Sequence, residues 1–217
     1  GPVLDIALGS GYEGPEAFAR AFKKLTGQSP SEFRTQPEWT AWHTAYADLR
    51  ELRQTHMKAQ QRVDQVRIID FPDTAVAVLE HRGDPNRIGD SIRKFIEWRK
   101  RNRLPPKTSA TFNLQYDDPA QVEAEDFRLD LCAQTIQEVQ ANPFGVIKKT
   151  IPAGRCAVLR HVGVVESLLH SIRWLYSHWL PSSGESPREY PLFLQRLTLF
   201  PDVPEHKAMT DIFLPLQ

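Results

Sequence analysis

The sequence predicts an α+β fold: a C-terminal duplicated β-β-α-β-β module with antiparallel sheets and two helices, preceded by an α-helical helix-turn-helix segment and a linker helix. Three observations carry that prediction. The chain repeats itself: His81, Gly83 and Ser91-Ile92-Arg93 return as His161, Gly163 and Ser171-Ile172-Arg173 at a common spacing of 80 residues (161 − 81, 171 − 91). A repeat of this kind marks one structural unit used twice. Short runs then alternate with period two. Phe112, Leu114 and Tyr116 oppose Thr111, Asn113 and Gln115, and Phe127, Leu129 and Leu131 oppose Arg128, Asp130 and Cys132. Such alternation predicts sheets with one apolar face packed and one polar face open. Each copy also holds one stretch with apolar residues three or four apart, the spacing of a helix face. These are Ile88, Ile92, Phe95 and Ile96, with Arg99 on the same face, and then Val165, Leu168, Leu169, Ile172, Leu175, Tyr176 and Trp179.

Composition bounds the function classes. The 217 residues carry 27 Lys and Arg against 27 Asp and Glu, so no global field draws in nucleic acid or anionic lipid. Any nucleic-acid contact must come from a local surface. Cys132 and Cys156, with no secretory segment, point to a reducing cytoplasm. Both cysteines read as small buried hydrophobes. No apolar run reaches the ~18 residues of a membrane helix. The expected organisation is a partial helix-turn-helix over 1–36, a linker helix over 37–62 and a larger domain over 63–217, with repeats at 66–135 and 145–217.

In chain order, a short apolar helix at 3–8 meets a Gly9-Ser10-Gly11 turn. A second helix opens at Pro15, where a missing N–H costs nothing. Phe18, Phe22 and Leu25 form its buried stripe, and Gly27 stops it. Helix, glycine turn and helix is the arrangement whose second helix enters a DNA major groove; a plain helical hairpin shares the pattern. Over 36–62, Trp39, Trp42, Tyr46, Leu49 and Leu52 recur at helical spacing, which predicts a connecting helix docked by its aromatic stripe. His43 and His56 read as surface residues. From Val66, the runs 66–71 and 74–82 flank Pro72-Asp73 and predict a hairpin. A helix over 85–102 follows, stopped by Pro105-Pro106, then strands over 109–116 and 127–134. The second copy repeats the order: a hairpin from 145–151 and 154–163, a helix over 165–180, a Ser-Gly-Pro-rich loop at 181–189, and strands over 192–200 and 208–216. Asp130 and Asp211 occupy corresponding points of the closing strands, and the domain is expected to end with the last strand. Two such units packed sheet beside sheet leave a groove at their junction, a place ligand sites favour.

The N-terminal residues go further than their pattern. GYEGPEAFARAFKKLTGQSPSEFR, residues 11–34, resembles the second helix-turn-helix of the AraC family of transcription regulators. The matching features are the Gly-Tyr turn, the Pro-Glu-Ala-Phe start, Phe-x-Arg-x-Phe-Lys-Lys, and Gly-Gln-Ser-Pro followed by Phe-Arg. The family carries two such motifs in tandem, and the first has no counterpart here. The resemblance implies DNA contact by the early positions of the helix, Gly14, Pro15, Glu16 and Ala19, with Arg20, while Lys23 and Lys24 lie near phosphates. Gly14 and Ala19 offer no side-chain donor to a base edge, so direct readout is thin. Arg20 reads equally as a salt bridge propping up the motif.

The duplicated half is similar to the gyrase-inhibitor-like domain, also found as the effector-binding domain of AraC-type and MerR-type regulators. The resemblance spans 64–217 and rests on His81-Arg82-Gly83, FRLDLCAQT at 127–135, Pro152-x-Gly154 before CAVLRHVG, and the closing DIFLPL. It implies a β-rich α+β fold with a concave pocket for hydrophobic, often cationic, small molecules. The family's frequent hallmark is a glutamate on the next-to-last strand, which neutralises a cation once water is excluded. In FLQRLTLF the glutamate position is Arg196, with Thr198 at a tyrosine position and Gln195 adjacent. An arginine there favours a carboxylate or phosphate ligand; a solvated strand arginine is the other reading. Trp98, Phe112, Tyr116, Trp174 and Tyr190 are the candidate pocket aromatics, with plain core packing as the alternative for each. His81 and His161 read as hydrogen-bonded structural residues.

Together these signatures predict a ligand-responsive, DNA-binding transcription regulator of AraC type whose C-terminal domain binds a small hydrophobic effector. The alternatives are a stand-alone small-molecule or protein-sequestering protein of gyrase-inhibitor type, and a small-molecule hydrolase. Against the hydrolase stands the lost glutamate at 196, together with the lack of paired carboxylates, of a metal-spaced His and Cys cluster and of a nucleophile motif in the sequence. No catalytic residue, metal ligand or cofactor is expected. The expected partners are DNA, the effector and a second copy of the chain, with no membrane.

Overall fold

The computed structural model describes residues 14–38, 65–198 and 203–217, together with Val3 and Ile6. The chain divides into two units, Gly1–His56 and Met57–Gln217. In the first unit, α1 (Pro15–Thr26) begins with proline in its first turn, and Gly27, at φ 78°, closes it with an N–H to the Lys23 carbonyl. Glycine reaches that left-handed conformation without the strain a side chain would add. A short helix, α2 (Pro30–Thr35), follows. Ser29 and Glu32 cap its start reciprocally, satisfying two otherwise orphaned N–H groups. Phe22 meets Phe33 edge-on at 5.5 Å, fixing α2 against α1. Val3 and Ile6 are helical; the rest of the helix expected over 3–8, and the linker helix beyond Glu38, lie outside the described residues.

The second unit is built on eight strands: β1 (Val66–Phe71), β2 (Thr74–Arg82), β3 (Thr111–Gln115), β4 (Arg128–Gln134), β5 (Ile147–Ile151), β6 (Gly154–Val162), β7 (Leu192–Arg196) and β8 (Met209–Pro215). They form one sheet in the order β1-β6-β8-β7-β3-β4-β2-β5, and every pair is antiparallel. The order is unchanged when β1–β4 are exchanged for β5–β8 and the sheet is read from its other edge. The two halves meet where β3 pairs with β7, Asn113 opposite Leu194, so the separate sheets predicted by the sequence are one.

Neither predicted hairpin forms. β1 leaves β2 to pair with β6, and β5 pairs with β2 instead of β6. The links explain this. A two-residue hairpin turn needs positive φ at its central positions, and here each link opens with proline, Pro72 and Pro152, whose ring holds φ near −65°. Each outer strand therefore crosses to the opposite half. The two crossings lie side by side, with the Ala153 N–H donating to Asp73 Oδ1 at 2.7 Å.

Two helices cover the same face of the sheet. On α3 (Ile88–Arg101), Phe95 and Trp98 pack on Ala77, Leu79, Leu129 and Leu131. On α4 (Val165–Trp174), Leu168 and Ile172 pack on Leu159, Leu194, Ile212 and Leu214. The helix predicted over 165–180 is regular only to Trp174; it continues as a π-turn over Leu175–Trp179 and a short α5 (Leu180–Ser183). The opposite face is not the open polar surface that alternation predicted from β4, whereas the apolar side predicted for β3 does lie on it. Phe71, Phe112, Phe193 and Phe213 fill it, and Cys132 and Cys156 are free and buried there. Asp130, also on that face, is fully buried. No helix among the described residues is long and apolar enough to cross a membrane.

Candidate functional site

α3 packs on β2 and β4 and α4 on β6, β7 and β8, which leaves a gap between the two helices over the middle of the sheet. A cavity of about 990 Å³ occupies that gap. Ile92, Phe95, Ile96 and Arg99 of α3 form one wall, and the loop through Leu104 and Pro105 extends it. Gly163, Val164 and Val165, at the start of α4, form the opposite rim. Thr111 and Asn113 of β3, Arg196 of β7 and Thr210 of β8 form the floor. These floor residues share a face because strand side chains alternate, and they are adjacent because of the pairing: Arg196 lies opposite Thr111 on one side and Thr210 on the other.

Two arginines dominate the chemistry. Arg99 is 6 % exposed. Its Nε donates to the Leu104 carbonyl at 2.8 Å, its Nη1 to Thr111 Oγ1 at 2.7 Å and its Nη2 to the Ser109 carbonyl at 2.8 Å. The Arg196 side chain donates from Nε to Asn113 Oδ1 at 3.1 Å and from Nη1 to Thr210 Oγ1 at 3.3 Å. Among the described residues neither has a carboxylate partner, and burial pulls both guanidinium pKa values from 12.5 down to about 10. Both stay charged at neutral pH. Lys100 and Arg103 also line the cavity, and among the described residues no aspartate or glutamate does. Arg103 holds φ at 56°, turning the chain out of α3.

The other face of the sheet handles charge differently. Asp130 accepts from the Tyr116 hydroxyl at 2.9 Å, Lys149 at 3.0 Å and Arg82 at 2.9 Å. Asp211 accepts two bonds from Arg160, each 2.8 Å. There, each of these cations meets a carboxylate, Arg82 and Lys149 sharing Asp130.

Of the sequence-predicted pocket residues, only Arg196 lines the cavity. Trp98 lies in the core beneath α3, stacked on Phe95 at 5.9 Å. Phe112 is in the opposite core, 6.1 Å from Phe71, because it alternates with the cavity-facing Thr111 and Asn113. Tyr116 and Tyr190 flank that same opposite core. Trp174 stacks on His178 at 6.5 Å. Arg99, Thr111, Asn113 and Thr210 were missed as site residues. A cation on the apolar face of α3 was the one signal that could have found Arg99. In the first unit, Glu16, Arg20, Lys23 and Lys24 are exposed on α1, whereas Gly14, Pro15 and Ala19 are half-buried.

The repeated histidines are structural, as the sequence suggested. His81 Nδ1 lies 2.9 Å from Ser91 Oγ, and His161 Nδ1 lies 2.9 Å from Ser171 Oγ. Each ties a strand end to the helix that follows through the same pair of residue types. Between them, Gly83 and Gly163 adopt positive φ (99° and 147°), which lets the chain turn from strand to helix. Burial lowers the His161 pKa. Among the described residues, no group of three or more His, Cys, Asp and Glu side chains could hold a metal ion.

Comparison with known proteins places this geometry. The model of the GyrI-like small molecule binding domain matches residues 64–217. The "Probable transcriptional regulator YgiV" of Escherichia coli K12 is 40% identical over 152 residues, covering 70% of this chain and 95% of that protein. The Right origin-binding protein of the same organism is 46% identical over 41 residues, 19% of this chain and 14% of that protein. Among solved structures, EcmrR in its DNA complex is similar with a TM-score of 0.59 at 15% identity, over 94% of this chain and 82% of that one. The family match takes in all eight strands, both covering helices and the cavity between them, and the chain belongs to the GyrI-like small molecule binding domain family.

Proposed function

We propose that this protein is a transcription regulator of AraC type whose GyrI-like domain binds a small hydrophobic effector in the cavity between α3 and α4. The cavity carries the reading: its volume suits a drug-sized ligand, its walls are largely apolar, and a few polar groups converge on its floor. The match to a small-molecule binding family and the relative named as a regulator support it. The AraC-type assignment rests on the residue string 11–34, on α1 with its Pro15 start and Gly27 stop, and on the partial identity to the Right origin-binding protein. Arg20, Lys23 and Lys24 form its DNA-facing surface, in the cytoplasm. The exchange symmetry of the sheet and the paired His–Ser contacts support a tandem duplication as the origin of the domain.

The test uses the full chain. DNA is selected from a random pool, and binding is followed by gel shift while a cavity-binding dye is added. The expected result is selection of a defined sequence whose affinity changes by about fivefold or more when the cavity fills, a typical coupling between sites. Ile96→Trp, which plugs the cavity from α3, should abolish the dye's effect and leave DNA binding in place. Recovery of no sequence above the background of the pool would refute the regulator reading.

A further inference from the structure

Among its described residues, the cavity has a charge it does not balance. We propose that it takes an organic anion, an apolar body carrying one oxyanion head that docks between Arg99 and Arg196. This deepens the reading of the cavity as a ligand site and rests on it.

Three observations carry the inference. The first is proximity. Arg99 donates to Thr111, and Thr111 lies directly opposite Arg196 in the β3–β7 ladder. Side chains so paired start about 5 Å apart, so both guanidinium groups reach one patch of floor. The second is spare capacity. A guanidinium has five N–H donors. Arg99 uses three and Arg196 two, all on uncharged oxygens. The third is the missing counter-charge. A desolvated cation is costly unless paired. Across the sheet, Asp130 and Asp211 meet that need for Arg82, Lys149 and Arg160. Among the described residues the cavity has no such carboxylate, and Lys100 and Arg103 add to its positive charge. Its rim is the start of α4, whose N-cap residue Val164 makes no side-chain capping bond. An incoming carboxylate, sulfonate or phosphate supplies what the protein withholds, and the planar guanidinium fork suits any of the three. Ile92, Phe95, Ile96 and Leu104 then cover the apolar body.

The test compares two dyes with the same aromatic body, anilinonaphthalenesulfonate and uncharged phenylnaphthylamine, titrated by fluorescence into the full chain. Wild type is expected to bind the sulfonate about tenfold more tightly, the gain of one charge-assisted contact. Arg196→Gln should erase the preference, Arg99→Lys should reduce it, and Ile96→Trp should exclude both dyes. Equal affinity of wild type for the two dyes would overturn the anion inference without help from any variant. If that equal binding is still lost in Ile96→Trp, the cavity remains a ligand site and only the charge assignment fails. If neither dye binds, or if Ile96→Trp leaves binding unchanged, the site reading fails as well.

Discussion

Tyr116 and Tyr190 hold their protons unusually tightly. The Tyr116 hydroxyl donates to the fully buried Asp130 carboxylate. Burial, and then the Asp130 charge, push its pKa from 10.0 up to about 12. Tyr190, half-buried nearby, also rises to about 12, chiefly through burial. A folded-state pKa above the unfolded one means stability that is complete below pH 10 and is lost as pH climbs towards 12. An alkaline titration followed by tyrosinate absorbance should therefore show two tyrosines ionising late, near pH 12. Tyr116→Phe should remove one of them and flatten the fall in stability across that window. Ionisation of both near pH 10 would mean that the phenol–carboxylate contact is not made. Residues that broke a pattern were legible in the sequence, and residues that fitted one were not. Arg196 stood out because it occupies a carboxylate's place. Arg99 falls on the predicted apolar face of its helix but does not read as a site residue, because a basic residue in the last turn of a helix is ordinary, favoured by the helix dipole. Its burial depends on Leu104 and Ser109, which only the fold brings to it.

At the scale of elements, α3 does two jobs with neighbouring residues. Trp98, 4 % exposed, anchors the helix to the sheet, whereas Ile96, 46 % exposed, faces the cavity. Their truncations should separate these jobs. Trp98→Ala should cost about 3–5 kcal/mol, the usual loss for a buried aromatic. Ile96→Ala should cost about 0.5 kcal/mol without ligand, yet weaken dye binding measurably. Urea melts of the two variants decide the matter, and a similar midpoint shift for both would show that the cavity wall is ordinary core. Strand positions were readable because a short strand-forming run bounded by turn residues is a local signal: 66–71 and 74–82, on either side of Pro72-Asp73, were located to the residue. Strand partners were not readable. The β1–β6 and β2–β5 pairings join residues at least 69 positions apart (147 − 78), and the sole local hint was that Pro72 and Pro152 cannot make the tight turns the hairpins required. The polar face predicted for β4 failed for a related reason. Asp130 looks solvated in sequence, and it is buried only because Lys149 and Arg82 arrive from other strands.

For the whole molecule, the larger unit should stand alone. Its core runs through the clusters on both faces of one sheet, and each half contributes a strand to the other's edge. Neither half can therefore close its own sheet, and residues 65–217 should unfold as a single cooperative step. The relative YgiV, matched over 95% of its length by 152 residues, is itself a protein of about this unit's size. A fragment of residues 65–217 is expected to melt in one transition and to bind anilinonaphthalenesulfonate within about twofold of the full chain, since every lining residue lies inside it. It should also lose the DNA binding proposed for α1. A fragment cut at residue 140 between the halves should not fold, because β2 would lack β5, and β1 would lack β6, its one strand partner among the described residues. Two separate transitions for residues 65–217, or a folded half, would show that the halves carry independent cores and that the strand exchange contributes little to the fold.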